Sequence, residues 1–290
     1  MTAASILIPT HDHAVTLPYT VRSVLAQTEA SLEVLIVGDG ATDAVRSVAE
    51  DLAATDPRVR FLDFPKGPHH GEIHRGAAIL QSEGDAIFYL CDDDLLMPTH
   101  VADLLALLAE NDFVQSRNGH IEEDGRIRLY PGDLGRSRDV ERLVDPDRVE
   151  NFVSITGTAH TRAFYDRVGR PWETTPATAF PDHHQWRRML GAGPARTATS
   201  HRMTALQFPS HADGRAEWAD ARREAEIAEW AARIARPGAQ AEIDALLQES
   251  VWRALDLARD DLRDARDAIQ WVRSTRWWRL REAAGRLIRR

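Results

Sequence analysis

The sequence predicts an α/β fold built on a mainly parallel sheet, and three observations carry that expectation. Short apolar, β-branched runs stop at turn residues: Ser5 to Thr10 closes on Pro9-Thr10, and Leu32 to Val37 closes on Gly38-Asp39-Gly40. Stretches with helical periodicity separate such runs, roughly Leu17 to Gln27, Asp43 to Ala54 and Glu72 to Gln81. Two further strand candidates, Val59 to Phe64 and Ala86 to Cys91, keep the alternation regular. Strand-helix-strand units of this kind pair in parallel through right-handed crossovers and place helices on both faces of the sheet.

The last of these runs delivers Asp92, Asp93 and Asp94 to the sheet edge where strand ends meet ligands in open α/β folds. Carboxylates crowded there repel one another unless a cation lies between them. Hard oxygen donors suit Mg²⁺ or Mn²⁺, and an ion held through one or two carboxylates keeps places for phosphate oxygens. A metal–diphosphate site is one reading. The plainer one makes the aspartates the start of the next helix, with Asp94 near its N-cap and Pro98 in its first turn.

The order of the elements with their terminal residues resembles the family 2 glycosyltransferases, whose catalytic domain has the GT-A fold. The resemblance runs through Ile8-Pro9-Thr10-His11-Asp12, Ser23 to Thr28, Val37 to Asp43 and the aspartates, and covers about the first two hundred residues. It implies that Pro9, Thr10, Asp12 and Asp39 line the pocket of a nucleoside diphosphate sugar, with Thr10 and Asp39 at the base, usually uracil. It also implies that Asp92 and Asp93 approach ribose and diphosphate, that Arg75 meets phosphate charge, and that Asp93 and Asp94 hold Mn²⁺ or Mg²⁺. Cys91 stands where most relatives carry an aspartate, and Asp12-His13 replaces an asparagine and a basic residue.

Glycosyl transfer needs stabilisation of the departing diphosphate and a base for the acceptor hydroxyl. Phe180-Pro181-Asp182 before His183, His184 and Trp186 resembles the family's Glu-Asp motif, with Pro181 in place of the glutamate. The resemblance implies Asp182 as catalytic base of an inverting reaction; an N-cap role for Asp182 is compatible with it. Gly157, Thr158, His183 and Trp186 are expected on the acceptor side, where a glycan or lipid-linked glycoconjugate would bind, as in cell-surface polysaccharide biosynthesis. Between the motifs, Phe113 to Ser116 reads as a strand and Gly119 to Arg128 as a hairpin. Gln207 to His211 resembles a strand followed by the family's late histidine, so His211 is a further metal or diphosphate candidate beside a plain surface role.

Two rival functions have distinguishable signatures. A nucleotidyltransferase should carry a glycine-rich basic loop after its first strand, and Pro9 to His13 is not one. A non-catalytic nucleotide-sugar-binding or assembly protein remains compatible with Cys91, Pro181 and the helical tail. His70 and His74 lie four apart, yet Gly71 stands where a zinc-protease helix needs glutamate. A net charge of −9 argues against nucleic acid as a partner. The single cysteine excludes an internal disulfide. No apolar run approaches the ~20 residues that span a bilayer, which points to the cytoplasm.

The expected division is a catalytic domain over 1–213 and a helical extension over 214–290. In the extension, Trp218, Ile227, Trp230 and Ile234 form a stripe ended by Pro237-Gly238, and a second helix is expected from roughly Glu242 to Val272. Its Leu255, Ala258, Leu262, Ala265, Ile269 and Val272 alternate spacings of three and four, as a coiled-coil seam does, which suits either a homodimer or packing on the catalytic domain. The basic end bearing Trp277 and Trp278 fits either peripheral contact with the inner membrane face or a solvated arginine face.

Overall fold

The structure, a computed structural model, describes residues 2–170, 172–209 and 214–274. Its first four strands, β1 (Ala4–Thr10), β2 (Leu32–Asp39), β3 (Val59–Phe64) and β4 (Ala86–Tyr89), are joined by α1 (Leu17–Leu25), α2 (Asp43–Thr55) and α3 (Glu72–Gln81). There follow β5 (Leu95–Leu96), α4 (His100–Leu108), β6 (Phe113–Gln115), β7 (Gly119–Ile121), β8 (Ile127–Leu129) and α5 (Ser137–Val144). The chain continues through β9 (Thr158–Thr161), α6 (Arg162–Arg167), α7 (Pro181–Gly191), β10 (Thr197–Thr199) and β11 (Ala205–Leu206) to α8 (Asp220–Ile234) and α9 (Ala239–Ser274).

A seven-stranded sheet of order β10-β6-β9-β4-β1-β2-β3 forms the centre. β1 pairs in parallel with β2 from Ala4 opposite Leu32 to Thr10 opposite Gly38, and with β4 from Ala4 opposite Ala86. The mainly parallel expectation holds, with one antiparallel strand, β9, between β4 and β6. Alternation along β1 divides the core: Ile6 and Ile8 pack with Val21, Val45 and Leu104, while Leu7 packs on the other face with Ile79, Phe164 and Trp186. Strands buried on both faces read as continuous apolar runs, which is why these were recognisable.

Two expectations are corrected. Asp94 does not begin a helix, because β5 follows it and pairs antiparallel with β11; α4 starts only at His100. The strand expected at Gln207 is β11, which ends at Leu206. The segment after 214 divides into a part packed on the body and a part that stands clear of it. Ile227, Trp230, Ile234, Ala239 and Ile243 bury themselves against Leu95, Met97, Ile121, Ile127, Met203 and Phe208, whereas Val251, Trp252, Leu255, Leu257, Leu262, Ile269 and Trp271 of α9 are exposed. Among the described residues no helix is long and apolar enough to cross a membrane.

Candidate active site

The C-terminal ends of β1, β2 and β4 open onto a cavity of about 610 Å³. Pro9, Thr10, Asp12, Asp39, Arg75, Asp92 and Asp93 all line it, so the positions expected to meet the donor come together in one cleft. Asp39, at the end of β2, is buried and accepts hydrogen bonds from Gly67 N–H at 2.6 Å and from Lys66 Nζ, with His74 Nε2 at 3.5 Å. His74 is itself held flat against Phe64, ring centroids 4.7 Å apart. The turn before α3 can approach this carboxylate because residue 71 is glycine: its φ is 62°, and a Cβ there would stand 2.2 Å from Asp39 Cγ. Thr10 Oγ1 is buried and has no hydrogen-bond partner among the described residues, which leaves a polar group for a ligand to satisfy.

The three aspartates point to different tasks. Asp92 accepts from His13 Nδ1 at 2.9 Å, and its backbone carbonyl accepts from Thr16 Oγ1 at 2.9 Å. The hydrogen bond to Asp92 lifts the His13 pKa to about 9 against the opposing cost of burial, so imidazolium is the favoured form at neutral pH. Asp93 has His13 at 3.9 Å as an ion-pair neighbour, and burial followed by repulsion from Asp92 raises its carboxyl to about 6. A half-buried carboxylate compensated so weakly suits a cation. Asp94 turns inward instead: Oδ1 accepts from Phe208 N–H at 2.8 Å and Oδ2 from the Thr156 hydroxyl. Its expected role as a metal ligand therefore conflicts with two structural bonds already made, although Cys91, Asp93 and Asp94 present ligand atoms within 4.8 Å of one another. The better placed pair is Asp92 and Asp93, with His13 within 4.8 Å of both, and these two carboxylates match the hard-oxygen preference of Mg²⁺ or Mn²⁺.

Arg75 links this cleft to a second one. It projects from α3, is 9% exposed, lies 5.0 Å over the Trp172 ring, and leaves Nε and Nη1 without partners among the described residues. Burial lowers its pKa, and the charges of Cys91, Glu72 and Asp182 oppose that shift. Asp182 lines a hollow of about 460 Å³ with Asn118, His120, Tyr130, Asn151 and Phe180. It is not an N-cap: Phe180 holds that place and Pro181 opens α7. Its carboxylate accepts from His183 N–H at 2.9 Å and Asn151 Nδ2 at 3.2 Å, while burial pushes its pKa above the ordinary carboxylate value.

The other acceptor-side expectations fall in the interior. His183 Nε2–H donates to the Leu143 carbonyl at 3.0 Å, and Trp186 is fully buried with Nε1–H donating to Val153 O at 2.9 Å. Trp186 meets Tyr89, Phe113 and Trp172 edge-on, as buried aromatic rings prefer. Thr158 lies in β9 with its hydroxyl donating to Ser154 O at 2.7 Å. Gly157, with φ 82°, lets the chain pass within reach of Ala205 and Ser116. None of these four lines the hollow around Asp182. His211 and the basic end from Thr275 onward lie outside the described residues.

Several cleft residues had no signal in the motifs. Lys66 and His70 come from the loop after β3, and Trp218 and Arg223 from the segment that opens α8. Arg223 Nη1 is 3.4 Å from His13 Nε2, which brings a guanidinium to the edge of that ring. Arg215 anchors that segment by paired hydrogen bonds to Glu226 at 2.9 and 2.6 Å, and it is 2% exposed. Nothing in an Ala, Glu and Arg-rich stretch distinguishes Arg223 from its neighbours before the helix is docked.

Comparison with known proteins agrees with this geometry. A crystal structure of S. aureus TarS 1-349 in complex with UDP-GlcNAc superposes with a TM-score of 0.57 at 15% identity, covering 86% of this chain and 71% of that one. A GalNAc(5)-diNAcBac-PP-undecaprenol beta-1,3-glucosyltransferase of Campylobacter jejuni is 26% identical over 144 residues, 49% of this chain and 46% of the relative. A hyaluronan synthase of Pasteurella multocida is 37% identical over 97 residues, 33% of this chain and 10% of that one. The chain thus spans less than half the length of these curated relatives. The family model Glycosyl transferase family 2 matches residues 5–168, from the first strand through the helix that follows β9. With the strand-end residues gathered in one cleft of a GT-A fold, the chain belongs to glycosyl transferase family 2.

Proposed function

We propose that this enzyme moves a sugar from a UDP-sugar to a hydroxyl of a glycan or lipid-linked glycoconjugate, with inversion at the anomeric carbon. The carrying observation is the pairing of two hollows: donor-type residues line one, Asp182 stands in the other, and Arg75 lies within electrostatic reach of both. Asp39 and Thr10 would receive the base. Arg75, His13 and Arg223 would face the diphosphate, whose charge grows as it leaves. Asp92 and Asp93 would hold Mn²⁺ or Mg²⁺, which when bound acts as a Lewis acid toward that leaving group. Asp182 would take the acceptor proton. Its burial makes the carboxylate a stronger base, and the His183 and Asn151 hydrogen bonds fix its direction. A single displacement with an external base gives inversion.

The donor reading draws support from the UDP-GlcNAc held by the TarS structure, and the lipid-linked acceptor from the undecaprenol-linked substrate in the Campylobacter relative's name. On this reading residues 1–213 carry the chemistry, while the segment after 214 completes the donor cleft through Trp218 and Arg223. A position at the inner membrane face would suit a lipid-linked acceptor. The test is a donor screen with mass detection, with and without Mn²⁺. Release of UDP from one UDP-sugar, strengthened by Mn²⁺, is the expected result. Turnover confined to donors with other bases, or no binding of any nucleotide sugar, would count against it.

A further inference from the structure

The outer part of α9 presents an apolar seam to solvent. Ser250 Oγ donates to Ile127 O and is the last side chain of the helix buried on the body of the protein. Residues 251–274 then continue for about 36 Å at the helical rise of 1.5 Å per residue. Leu255 is 55% exposed, Leu262 68% and Ile269 53%, with Ala258 and Ala265 between them on the same stripe. In heptad terms the large residues take position a and the alanines position d. A helix of this length with uncovered leucines is marginal alone in water and is stabilised chiefly by covering its apolar face.

The flanking charges say what covers it. Residues 251–274 contain five aspartates and five arginines, so this stretch has no excess charge to draw it onto an anionic lipid surface. The charges are also ordered. Arg259 and Arg266 occupy successive e positions, and Asp261 the g position between them. In a parallel pair, g faces the e position of the next heptad, so Asp261 meets Arg266 of the partner subunit, twice by symmetry. In an antiparallel pair e faces e, and Arg259 meets Arg266 of the partner subunit with no acid between. The alanines permit close approach in either direction, so the charges decide.

We infer that α9 pairs with α9 of a second copy as a parallel coiled coil, making the enzyme a homodimer. This pairing is independent of the chemistry proposed above, and so is its test. Sedimentation velocity of the full chain across a concentration series should show a dimer. Leu262→Lys removes two leucines per interface and should raise the dissociation constant by about 10²- to 10⁴-fold. Far-UV circular dichroism and the thermal midpoint of the body confirm that the variant is folded, and Asp260→Lys, outside the seam, should leave the dimer intact. Direction is read from one substitution. Arg266→Asp places like charges opposite each other in a parallel pair and should weaken it, and adding Asp261→Arg should restore it; in an antiparallel pair Arg266→Asp alone would tighten association. Tightening, a monomer at every concentration, a higher oligomer, or a monomer that cosediments with anionic vesicles would each overturn the proposal.

Discussion

Gly71→Ala tests whether the turn before α3 holds Asp39 in place. A methyl group there would stand 2.2 Å from Asp39 Cγ and 2.5 Å from both carboxylate oxygens, far inside contact distance. The backbone at φ 62° adds a left-handed penalty of about 1–2 kcal/mol for a residue with a Cβ. Relief of the clash must move the carboxylate off the Gly67 N–H and the Lys66 ammonium, a charge-assisted contact worth about 1.5–3 kcal/mol. Together these predict roughly 2.5–5 kcal/mol of destabilisation, or a lower midpoint by about 5–20 °C for a protein of this size class. If Asp39 receives the base of the donor, UDP affinity should fall by about tenfold to a hundredfold, since each 1.4 kcal/mol is tenfold. Calorimetric titration with UDP and a thermal melt read both effects. Gly71→Asn separates the causes: asparagine tolerates positive φ but brings the same Cβ, so it should rescue little. A Gly71→Ala protein with unchanged midpoint and unchanged UDP affinity would refute the reasoning.

Asp182→Asn keeps the shape and the hydrogen bond from His183 N–H but removes the proton acceptor, so UDP binding should survive while transfer falls roughly 10²- to 10⁴-fold. Because burial raises this carboxyl, the wild-type rate should be full at higher pH and decline on acidification at a pH above that of an ordinary aspartate, as protonation removes the base; a flat acid limb in a pH–rate profile would contradict this. Asp93→Ala should abolish the Mn²⁺ dependence of UDP binding with little loss of stability, whereas Asp94→Ala should leave the buried Phe208 N–H unpaired and cost about 1–3 kcal/mol in denaturant melts. Trp186→Ala should cost about 3–5 kcal/mol by opening a core cavity, while Trp186→Phe should leave the acceptor KM unchanged; a selective rise in that KM would put Trp186 back at the acceptor.

The alternation of strands and helices, and the residues at strand ends, were legible in the chain because both are local. A parallel strand buried on two faces must be apolar, and its terminal residue lies at the ligand edge whatever its neighbours are, so Thr10, Asp39, Asp92 and Asp93 could be assigned to one cleft in advance. What local pattern does not show is the direction of a side chain relative to another element. Asp93 and Asp94 are adjacent and chemically identical, yet Asp94 is turned inward by Thr156 and by Phe208, 62 and 114 residues away in sequence. His183 and Trp186 follow Asp182 on one helix, but the rotation of α7 against the sheet sends both into the core. Arg223 enters the donor cleft only because Ile227, Trp230 and Ile234 bury against the small ribbons and fix how α8 lies. Local pattern therefore determined the fold and the cleft's founding residues. Tertiary packing, which sets the phase of each helix and the reach of distant segments, decided which neighbouring side chains face the ligand.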